Sequence, residues 1–374
     1  MTASRMPSLA KIRSLVLVPA LAILLALAVG AAFMILSSPL IDGSFNVLLP
    51  VEAYVALFRG AFGSLDAIVN TLKNATPLIL AGFAVGIGLK AGLFNIGAQG
   101  QFLVGALAAT AMALALDDAS PLVAIPLSLL AGMAGGLLWG MIPGILKAFS
   151  GAHEVVTTIM LNYVAVFFVS GVIGGPLRGE DVTFDRTDDL HAAILPIIVG
   201  DSGHLGILFA AAAVPIVWWF LYRSIIGFEV RTTGANSEAA RYAGMNPRFL
   251  IIFTMSLCGL FAGLAGSTEI LGEVGYMPAS YSTTVGFTAI AVALLGRANP
   301  VGILLSGLLF GAMQAGAGAM EVQARIPNDF VSILQAIILF FLTAEILVRR
   351  IFRVRKAAEA LGDVSVAGSY GQRV

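Results

Sequence analysis

The sequence predicts an all-helical protein that crosses a membrane about ten times. Hydrophobic residues make up 59% of its 374 residues and charged residues only 11%, a balance far from that of soluble globular domains. Apolar stretches of about 18 to 25 residues recur along the chain, and charged residues are almost confined to the gaps between them. Each stretch is long enough to cross a bilayer as one helix.

Ten apolar stretches qualify as membrane spans. They are residues 15–36, 75–90, 100–116, 121–147, 154–175, 204–223, 249–270, 284–296, 299–320 and 330–348. The first stretch exceeds the apolar region of a secretion signal, so we expect an uncleaved anchor. We therefore expect residues 1–348 to form one transmembrane domain, followed by a basic juxtamembrane segment and a disordered cytoplasmic tail at 349–374.

The distribution of basic residues orients the chain. With the N-terminus in the cytoplasm, 16 of the 21 lysines and arginines fall on the cytoplasmic side and the other 5 on the opposite side. This asymmetry follows the positive-inside rule, and an odd number of spans or a reversed start would remove it. We therefore expect both termini to lie in the cytoplasm.

Two segments on the predicted outer side are long. In the first, residues 51–62 are expected to form a helix that lies on the surface. The second, residues 177–203, is here called the outer cap; it is either a solvated loop or a docking surface. Its acidic residues are Glu180, Asp181, Asp185, Asp188, Asp189 and Asp201.

Small residues predict how the spans pack. Three glycine pairs lie four residues apart within predicted spans, which lets helix backbones approach closely. They are Gly132 with Gly136, Gly259 with Gly263, and Gly307 with Gly311. The pattern predicts a compact helical bundle.

The one sizeable cytoplasmic loop, residues 227–248, contains the signals of a short capped helix at 237–243. Asn236 or Ser237 can cap its start, Glu238 opposes the helix dipole, Arg241 lies in the last turn, and Gly244 provides a left-handed exit. A helix of about seven residues is marginal alone in water, so it needs a supporting surface. Either a partner protein or the bundle itself could supply that surface.

At this loop the sequence resembles the permeases of ATP-binding-cassette (ABC) importers, whose cytoplasmic coupling helix sits in a groove of the ATPase subunit. Glu238-Ala239-Ala240 followed by Gly244 matches their Glu-Ala-Ala…Gly signature. The wider run 234–246 looks like the branch that handles branched-chain amino acids, ribose-type sugars and nucleosides. The resemblance implies that coupling to the ATPase involves Gly234, Asn236, Glu238, Ala239, Ala240, Arg241 and Gly244.

Three further stretches resemble the nucleoside and simple-sugar members of that branch. They are residues 92–102, 154–163 and 293–302, and they extend the resemblance over about residues 70–345. Amino-acid members share the coupling loop but match the first two stretches poorly, which favours nucleosides. Simple sugars and branched-chain amino acids remain the alternative solutes.

The resemblance also implies a set of partners. No Gly-x-x-x-x-Gly-Lys-Ser/Thr phosphate loop occurs in these residues, so ATP and Mg²⁺ are expected on a separate ATPase, with no cofactor in this chain. The implied assembly adds a second permease, expected to be a distinct paralogue, two ATPase subunits and an extracytoplasmic solute-binding lipoprotein. It lies in a bacterial inner membrane, and no nucleic-acid partner is expected.

Two irregular segments interrupt the apolar pattern: residues 91–101, here called the first break, and residues 272–284, the second break. They are five spans apart and so lie in oppositely oriented halves, as in an inverted internal repeat. Broken segments at matching places in inverted halves are typical of transport sites. We expect both breaks to dip toward the membrane midplane, where protein or water must satisfy their polar groups.

Uncharged amides and hydroxyls in and near the breaks are candidates to line a solute path. They suit a neutral, hydrogen-bonding solute, although such groups also serve as hydrogen-bonding glue between helices. The candidates are Asn95, Gln99, Gln101, Thr158, Asn162, Tyr276, Ser280, Tyr281, Ser282 and Gln314.

Two rival classes of function are less well supported. An ion-coupled secondary transporter usually needs a relay of ionisable residues across the bilayer, and the sequence shows no such chain. Glu269 lies near the end of its span and is expected to reach the interface. A membrane enzyme would need clustered titratable groups or a metal, and neither is apparent, since the three histidines lack metal-ligand spacing. The expected activity is translocation without covalent chemistry.

Overall fold

The computed structural model describes residues 9–42, 44–180, 182–281, 283–344 and 351–352. Helices dominate these ranges, and the only strands within them form one short hairpin. The elements are α1 (Leu9–Asp42), α2 (Leu49–Phe62), α3 (Leu65–Lys90), α4 (Ala98–Ala115), α5 (Pro121–Ser150), α6 (Glu154–Ile173), β1 (Ile197–Val199), β2 (Gly203–His204), α7 (Gly206–Arg223), α8 (Ile225–Ala235), α9 (Ser237–Tyr242), α10 (Pro247–Glu269), a π-helical turn (Ile270–Val274), α11 (Val285–Leu295), α12 (Pro300–Ala324) and α13 (Asp329–Thr343).

Each predicted span coincides with one helix. Eight helices of the described ranges, α1, α3 to α7, α10 and α12, are long and apolar enough to cross a membrane, and α11 and α13 are shorter apolar helices. The all-helical polytopic fold is thus confirmed. One predicted boundary is wrong, because α3 begins at Leu65 rather than residue 75. Its first turns contain Asp66, Asn70 and Lys73, which lower the local hydropathy although Ser64 caps the helix at this point.

The described residues divide into two compact units, and the first comprises those that lie within 1–60 and 316–374. Within it α1 packs against α13, and the rings of Phe33 and Phe330 lie 5.9 Å apart. The surface helix predicted at 51–62 is present as α2. It is tied to α1 because the Tyr54 hydroxyl donates to the Leu27 carbonyl at 2.7 Å. Apart from 351–352, the predicted basic segment and tail lie outside the described residues.

The second unit, residues 61–315, contains both breaks. Its elements repeat the order helix, break, helix, long helix, first as α3, α4 and α5 and then as α10, α11 and α12. The packing is reciprocal, because α4 contacts α10 while α11 contacts α3. This is the arrangement expected of an internal repeat.

The glycine pairs make the close helix contacts of this second unit. A Cβ at Gly136 would clash with the Gly259 carbonyl, and one at Gly263 with the Gly132 carbonyl, so α5 and α10 touch through their backbones. In α12, Gly307 and Gly311 likewise lie directly against α3, at Ile79 and Ala75. The close backbone approach predicted from the spacing is confirmed.

Two helices, not one, fill the loop predicted to be cytoplasmic. The predicted capped helix is α9, which has six residues; Asn236 is its N-cap, because its Oδ1 accepts from the Ala239 N–H at 3.0 Å. Gly244 follows it with a φ of 85°. The preceding helix α8 was not predicted from the sequence; Ser224 caps it by accepting from the Gly227 N–H at 2.9 Å.

Candidate functional site

Two buried side-chain amides hydrogen-bond to each other within the first break. Asn95 donates to Oε1 of Gln101 at 2.8 Å, and Gln101 donates back to Oδ1 of Asn95 at 3.1 Å. Asn95 also donates to the Ala84 carbonyl of α3 at 3.3 Å. Both amides are almost fully buried. The pair therefore ties the non-helical backbone of the first break to α3.

Helix α6 holds the same break from the other side. Glu154, Thr158 and Asn162 lie on its buried face, as their spacing of four predicts. Asn162 accepts from the Gly100 N–H at 2.8 Å and donates to the Ile96 carbonyl at 3.0 Å. Thr158 packs against Gly97, and its hydroxyl donates to the Glu154 carbonyl at 2.7 Å. The amide of Asn162 thus satisfies two backbone groups that have left the helical pattern.

The charge on this face is neutralised locally. The Glu154 carboxylate, whose side chain is only 4% exposed, lies 2.5 Å from the ammonium of Lys147 at the end of α5. A buried carboxylate without a partner would be strongly unfavourable, so the pair explains how Glu154 is tolerated there. It also joins the ends of α5 and α6.

The two breaks meet at Gln99. Its Oε1 accepts from the Gly286 N–H, and its Nε2 donates to the Thr283 carbonyl, both at 2.9 Å. The N-terminal ends of α4 and α11 therefore lie together. Since α11 has 11 residues, it spans about 16 Å, roughly half of an apolar core of about 30 Å. The length of α11 is compatible with a start near the midplane, and the dip of both breaks stays a prediction.

The ten candidate lining residues separate into groups. Asn95, Gln99, Gln101, Thr158 and Asn162 are buried and make the scaffold bonds described above, as expected of interhelical glue. Tyr276 lies under the guanidinium of Arg186 at 4.4 Å, and the Tyr281 hydroxyl donates to Glu269 at 3.4 Å. Ser280 is exposed, Gln314 is partly buried on α12, and Ser282 lies outside the described residues. Contact of any of them with solute stays a prediction.

The predicted coupling helix α9 packs against the neighbouring helices α8 and α10. Of its six residues only Ala240 is buried, whereas Glu238, Ala239 and Arg241 are exposed. Tyr242, which the sequence reasoning did not select, is 91% exposed. The sequence feature that could have pointed to Tyr242 is an aromatic ring inside an otherwise polar predicted helix. The bundle therefore leaves the outward face of α9 free for another surface.

Gly234, also expected to couple, has a different position. It lies in the last turn of α8, against the turn that opens the first break. A Cβ there would clash with the Lys90 carbonyl and lie 2.7 Å from the Gly92 amide nitrogen. Ala91, Leu93, Val230, Leu250 and Met255 form a small buried core around this contact. The segment carrying α9 is thus backed directly against the first break.

On the predicted outer side, residues 185–195 of the outer cap, here called the outer strap, follow the second break in extended pairing. The Thr187 N–H donates to the Met277 carbonyl at 3.0 Å, and similar bonds at 2.8 Å join Leu190 to Gly275, Leu195 to Leu271, and Ala279 to Asp185. Every one of these contacts joins residues predicted to lie on the same side of the membrane.

Asp117, between α4 and α5, anchors this strap. Its Oδ1 accepts from the His191 N–H at 2.9 Å and from the Ala192 N–H at 3.1 Å. Partial burial acts to raise the pKa of the Asp117 carboxyl, but these hydrogen bonds outweigh it and hold the pKa below its ordinary value. The ionised carboxylate is therefore the form that anchors the strap.

A cluster of titratable groups, which the sequence did not reveal, lies nearby. Lys73 of α3 pairs with Glu273 of the π-helical turn at 3.2 Å, and Glu269 accepts from Tyr281. The expectation that such groups do not cluster is wrong, because residues up to about 200 positions apart converge here. The one sequence feature that could have pointed to this cluster is a pair of glutamates, Glu269 and Glu273, four residues apart at the end of one predicted span.

Comparison with known proteins identifies the family of this chain and several relatives. The family described as branched-chain amino acid transport system / permease component matches residues 67–343. The guanosine ABC transporter permease NupP of Bacillus subtilis is 40% identical, over 89% of this chain and 94% of that protein. The glucose permease TsgB13 of Haloferax volcanii is 38% identical (94% and 93%), and the nucleoside permease NupB of Lactococcus lactis is 34% identical (92% and 95%).

No solved structure matches this chain. The family match nevertheless covers most of its length, including both breaks, α8 and α9. The relatives are permease components of ABC transporters, which translocate solutes and are not themselves enzymes. The chain is therefore a multi-pass membrane protein that belongs to the family of ABC transporter permeases described as branched-chain amino acid transport system / permease component.

Proposed function

We propose that this chain is the subunit through which an ATP-driven importer moves nucleosides, or solutes that share their sugar ring, into the cell. The observation that carries the proposal is the exposed face of α9, backed by the contact of Gly234 with the start of the first break. An exposed short helix joined to a membrane break is suited to receive a movement from outside the bundle and pass it inward.

The solute class is drawn from chemistry that the relatives have in common. They are permeases for guanosine, glucose and nucleosides, and all of these solutes carry a ring with several hydroxyl groups. Neutral hydroxyl groups suit a path with polar but mostly uncharged surroundings. Simple sugars are therefore the second candidate. Branched-chain amino acids fit less well, because they lack the hydroxyl groups that these relatives' solutes share.

The proposed mechanism begins at a partner ATPase, which binds ATP and Mg²⁺. Nucleotide-driven movement of that partner displaces α9 through Glu238, Arg241 and Tyr242. The displacement reaches the first break through Gly234 and Gly92, whose backbones touch. It continues to the second break through Gln99, and from there to the outer strap. Such a route lets the two ends of the solute path change together.

The proposal includes further partners. A second permease, a distinct paralogue of this chain, completes the translocation unit, with two ATPase subunits on the cytoplasmic side. A solute-binding lipoprotein delivers solute to the outer cap. The assembly lies in a bacterial inner membrane, which the apolar helices and the family support in its coarser form, a membrane location.

The test is a charge reversal on α9. The double variant Glu238→Lys with Arg241→Glu should insert and assemble normally but lose ATP-driven uptake of labelled guanosine or glucose in proteoliposomes that contain the whole transporter. Hydrolysis of ATP should continue, because the nucleotide site is on the partner. We expect uptake to fall at least tenfold, since two charged contacts of about 1 kcal/mol or more each are reversed.

The matched control is the same reversal on another exposed helix, Glu52→Lys with Arg59→Glu on α2. This variant should import at the wild-type rate. Unimpaired uptake by the α9 variant would refute the coupling assignment, whatever the control does.

A further inference from the structure

Four side chains from separate parts of the chain converge at the outer end of α10. Lys73 comes from α3, Glu269 from the last turn of α10, Glu273 from the π-helical turn, and Tyr281 from the second break. The Lys73 ammonium lies 3.2 Å from Glu273 Oε1, and the Tyr281 hydroxyl lies 3.4 Å from Glu269 Oε1. Glu269 is close enough to Glu273 and Lys73 to interact electrostatically with both. The cluster lies wholly within the unit 61–315.

The charges of this cluster oppose stability. Glu269 and Glu273 are four residues apart, a spacing at which like charges destabilise a helix. Only Lys73 pairs with either carboxylate among the described residues, so acceptors outnumber the ammonium. A π-helical turn follows Glu269 directly, and such turns are frequent at functional sites. Ionisable residues in membrane helices are unfavourable and usually functional.

The cluster is partly exposed and has further polar neighbours. The Lys73 and Glu273 side chains are 17% and 35% exposed. Ser202 of the outer cap hydrogen-bonds Asn70 of α3 at 3.1 Å, one helical turn before Lys73. The ring of His204 lies against Gly272, and burial lowers its pKa, which favours the neutral imidazole. The site therefore offers carboxylate acceptors, one strong cationic donor and little other charge.

The donor and acceptor types select a ligand class. Ionised carboxylates only accept hydrogen bonds, and an ammonium only donates them. Adjacent hydroxyl groups of a sugar ring can satisfy both at once, because each hydroxyl donates its proton and accepts on its oxygen. A metal ion fits less well, since no three His, Cys, Asp or Glu side chains converge as ligands in the part of the chain that is described.

We infer that Lys73, Glu269, Glu273 and Tyr281 form an outer recognition site for the adjacent hydroxyl groups of a sugar ring. The inference rests on the proposed function and deepens it, because it assigns to one cluster the chemical group that the candidate solutes share. Glu269 and Glu273 accept from the hydroxyls, and Lys73 donates to their oxygens. Tyr281 keeps its hydrogen bond to Glu269 and so holds that carboxylate in place.

The experiment compares two solutes that differ only in those hydroxyls. Uptake of guanosine and of 2′,3′-dideoxyguanosine is measured against concentration, with the whole transporter in proteoliposomes carrying wild-type permease, Glu269→Gln or Glu273→Gln. We expect each substitution to raise the half-saturating concentration of guanosine about tenfold, the effect of losing a charge-assisted hydrogen bond. The half-saturating concentration of dideoxyguanosine should change less than twofold. All samples contain the same binding protein, so its preference between the two solutes does not affect the comparison of permease variants.

The controls separate this inference from the proposed function. Glu321→Gln, an exposed glutamate on α12, should alter neither solute. Tyr281→Phe removes one hydroxyl and no charge, and it provides the same comparison if a glutamate variant fails to assemble. Equal weakening of both solutes would overturn the recognition site and leave the proposed function intact. If wild type imports glucose instead, glucose and 2-deoxyglucose form the pair; import of neither solute would overturn the proposed function itself.

Discussion

Several polar side chains of this protein hydrogen-bond to backbone groups that no helix or strand satisfies. Asn162 pairs both ends of its amide with the first break, and Gln99 does so with the second. Asp117 accepts from two N–H groups of the outer strap. A hydrogen bond contributes about 1 kcal/mol net, but an unpaired buried partner costs about 1–3 kcal/mol. These residues matter chiefly for the backbone groups they satisfy.

Asp117 predicts a dependence of stability on pH. Since the pKa of its carboxyl is lowered in the folded protein, the contribution is complete above the unfolded value of about 3.9 and is lost as pH falls through the folded pKa. Near neutral pH, Asp117→Asn should melt about 2 °C below wild type. The gap should close below about pH 4 in thermal unfolding of purified protein.

Asp118→Asn serves as the control for this prediction, because Asp118 is the exposed neighbour of Asp117. It should melt with the wild type at every pH. A gap for Asp117→Asn that stayed constant down to pH 3 would show that its carboxylate charge does not anchor the strap.

At the scale of elements, α8 connects α9 to the first break. Gly234, the last residue but one of α8, lies directly against the Lys90–Gly92 turn, and the contact is between backbones. Backbone atoms cannot move aside as a flexible side chain can. The position of α8 and the position of the first break are therefore coupled through steric contact.

Gly234→Ala should disrupt this contact, because the added Cβ would overlap the Lys90 carbonyl and the Gly92 amide. We expect uptake to fall at least tenfold while ATP hydrolysis continues, since the α9 surface itself is unchanged. The measurement is the ratio of solute imported to ATP hydrolysed in proteoliposomes.

The matched control is Gly318→Ala on α12, where an added Cβ meets no atom within 4 Å. Its transport ratio should equal that of the wild type. Normal coupling in Gly234→Ala would show that movement reaches the first break by another route.

At the scale of the whole molecule, the elements that would receive energy and those that would admit solute belong to the same compact unit, residues 61–315. Reciprocal packing of α4 on α10 and of α11 on α3 interlocks its two halves. A rearrangement at one end of such a unit is expected to alter the other end, because packed interfaces shift between discrete arrangements and do not deform continuously.

The proposed source of energy yields a direct prediction. Purified permease reconstituted alone should not accumulate guanosine or glucose under a proton or sodium gradient, whereas the whole transporter should do so with ATP. The reason is that neither the sequence nor the described structure shows a relay of ionisable groups across the bilayer. Accumulation driven by an ion gradient in liposomes holding this chain alone would favour a secondary transporter.

Much of the fold follows from local signals in the sequence. Apolar stretches predicted every span, and glycine spacing predicted the contact of α5 with α10. Asn236 and Gly244 marked the ends of α9 because capping and left-handed backbone favour these residue types. The matching breaks were likewise predictable from glycines and proline. These features depend on residues that are close together in the sequence, so they can be predicted from the sequence alone.

Other features depend on tertiary contacts and could not be read in advance. Lys73 and Glu273 lie 200 positions apart, and nothing local indicates that they pair. Gly234 was predicted to take part in coupling, but no neighbouring residue indicated that it packs against the Lys90–Gly92 turn. The early start of α3 was missed because polar residues such as Asn70 face other parts of the protein, a pattern that hydropathy averages conceal.

The bond between the two breaks has a consequence for how such proteins can diversify. On one side it uses the amide of Gln99, but on the other it uses only main-chain atoms, those of Thr283 and Gly286. A substitution at position 283 that leaves the main chain in place would therefore keep the bond to Gln99 and lose only the hydrogen bond that Thr283 Oγ1 accepts from the Val285 N–H. The joint between the two halves thus tolerates a change of side chain on the side of the second break, whereas Gln99 is the one side chain on which it depends.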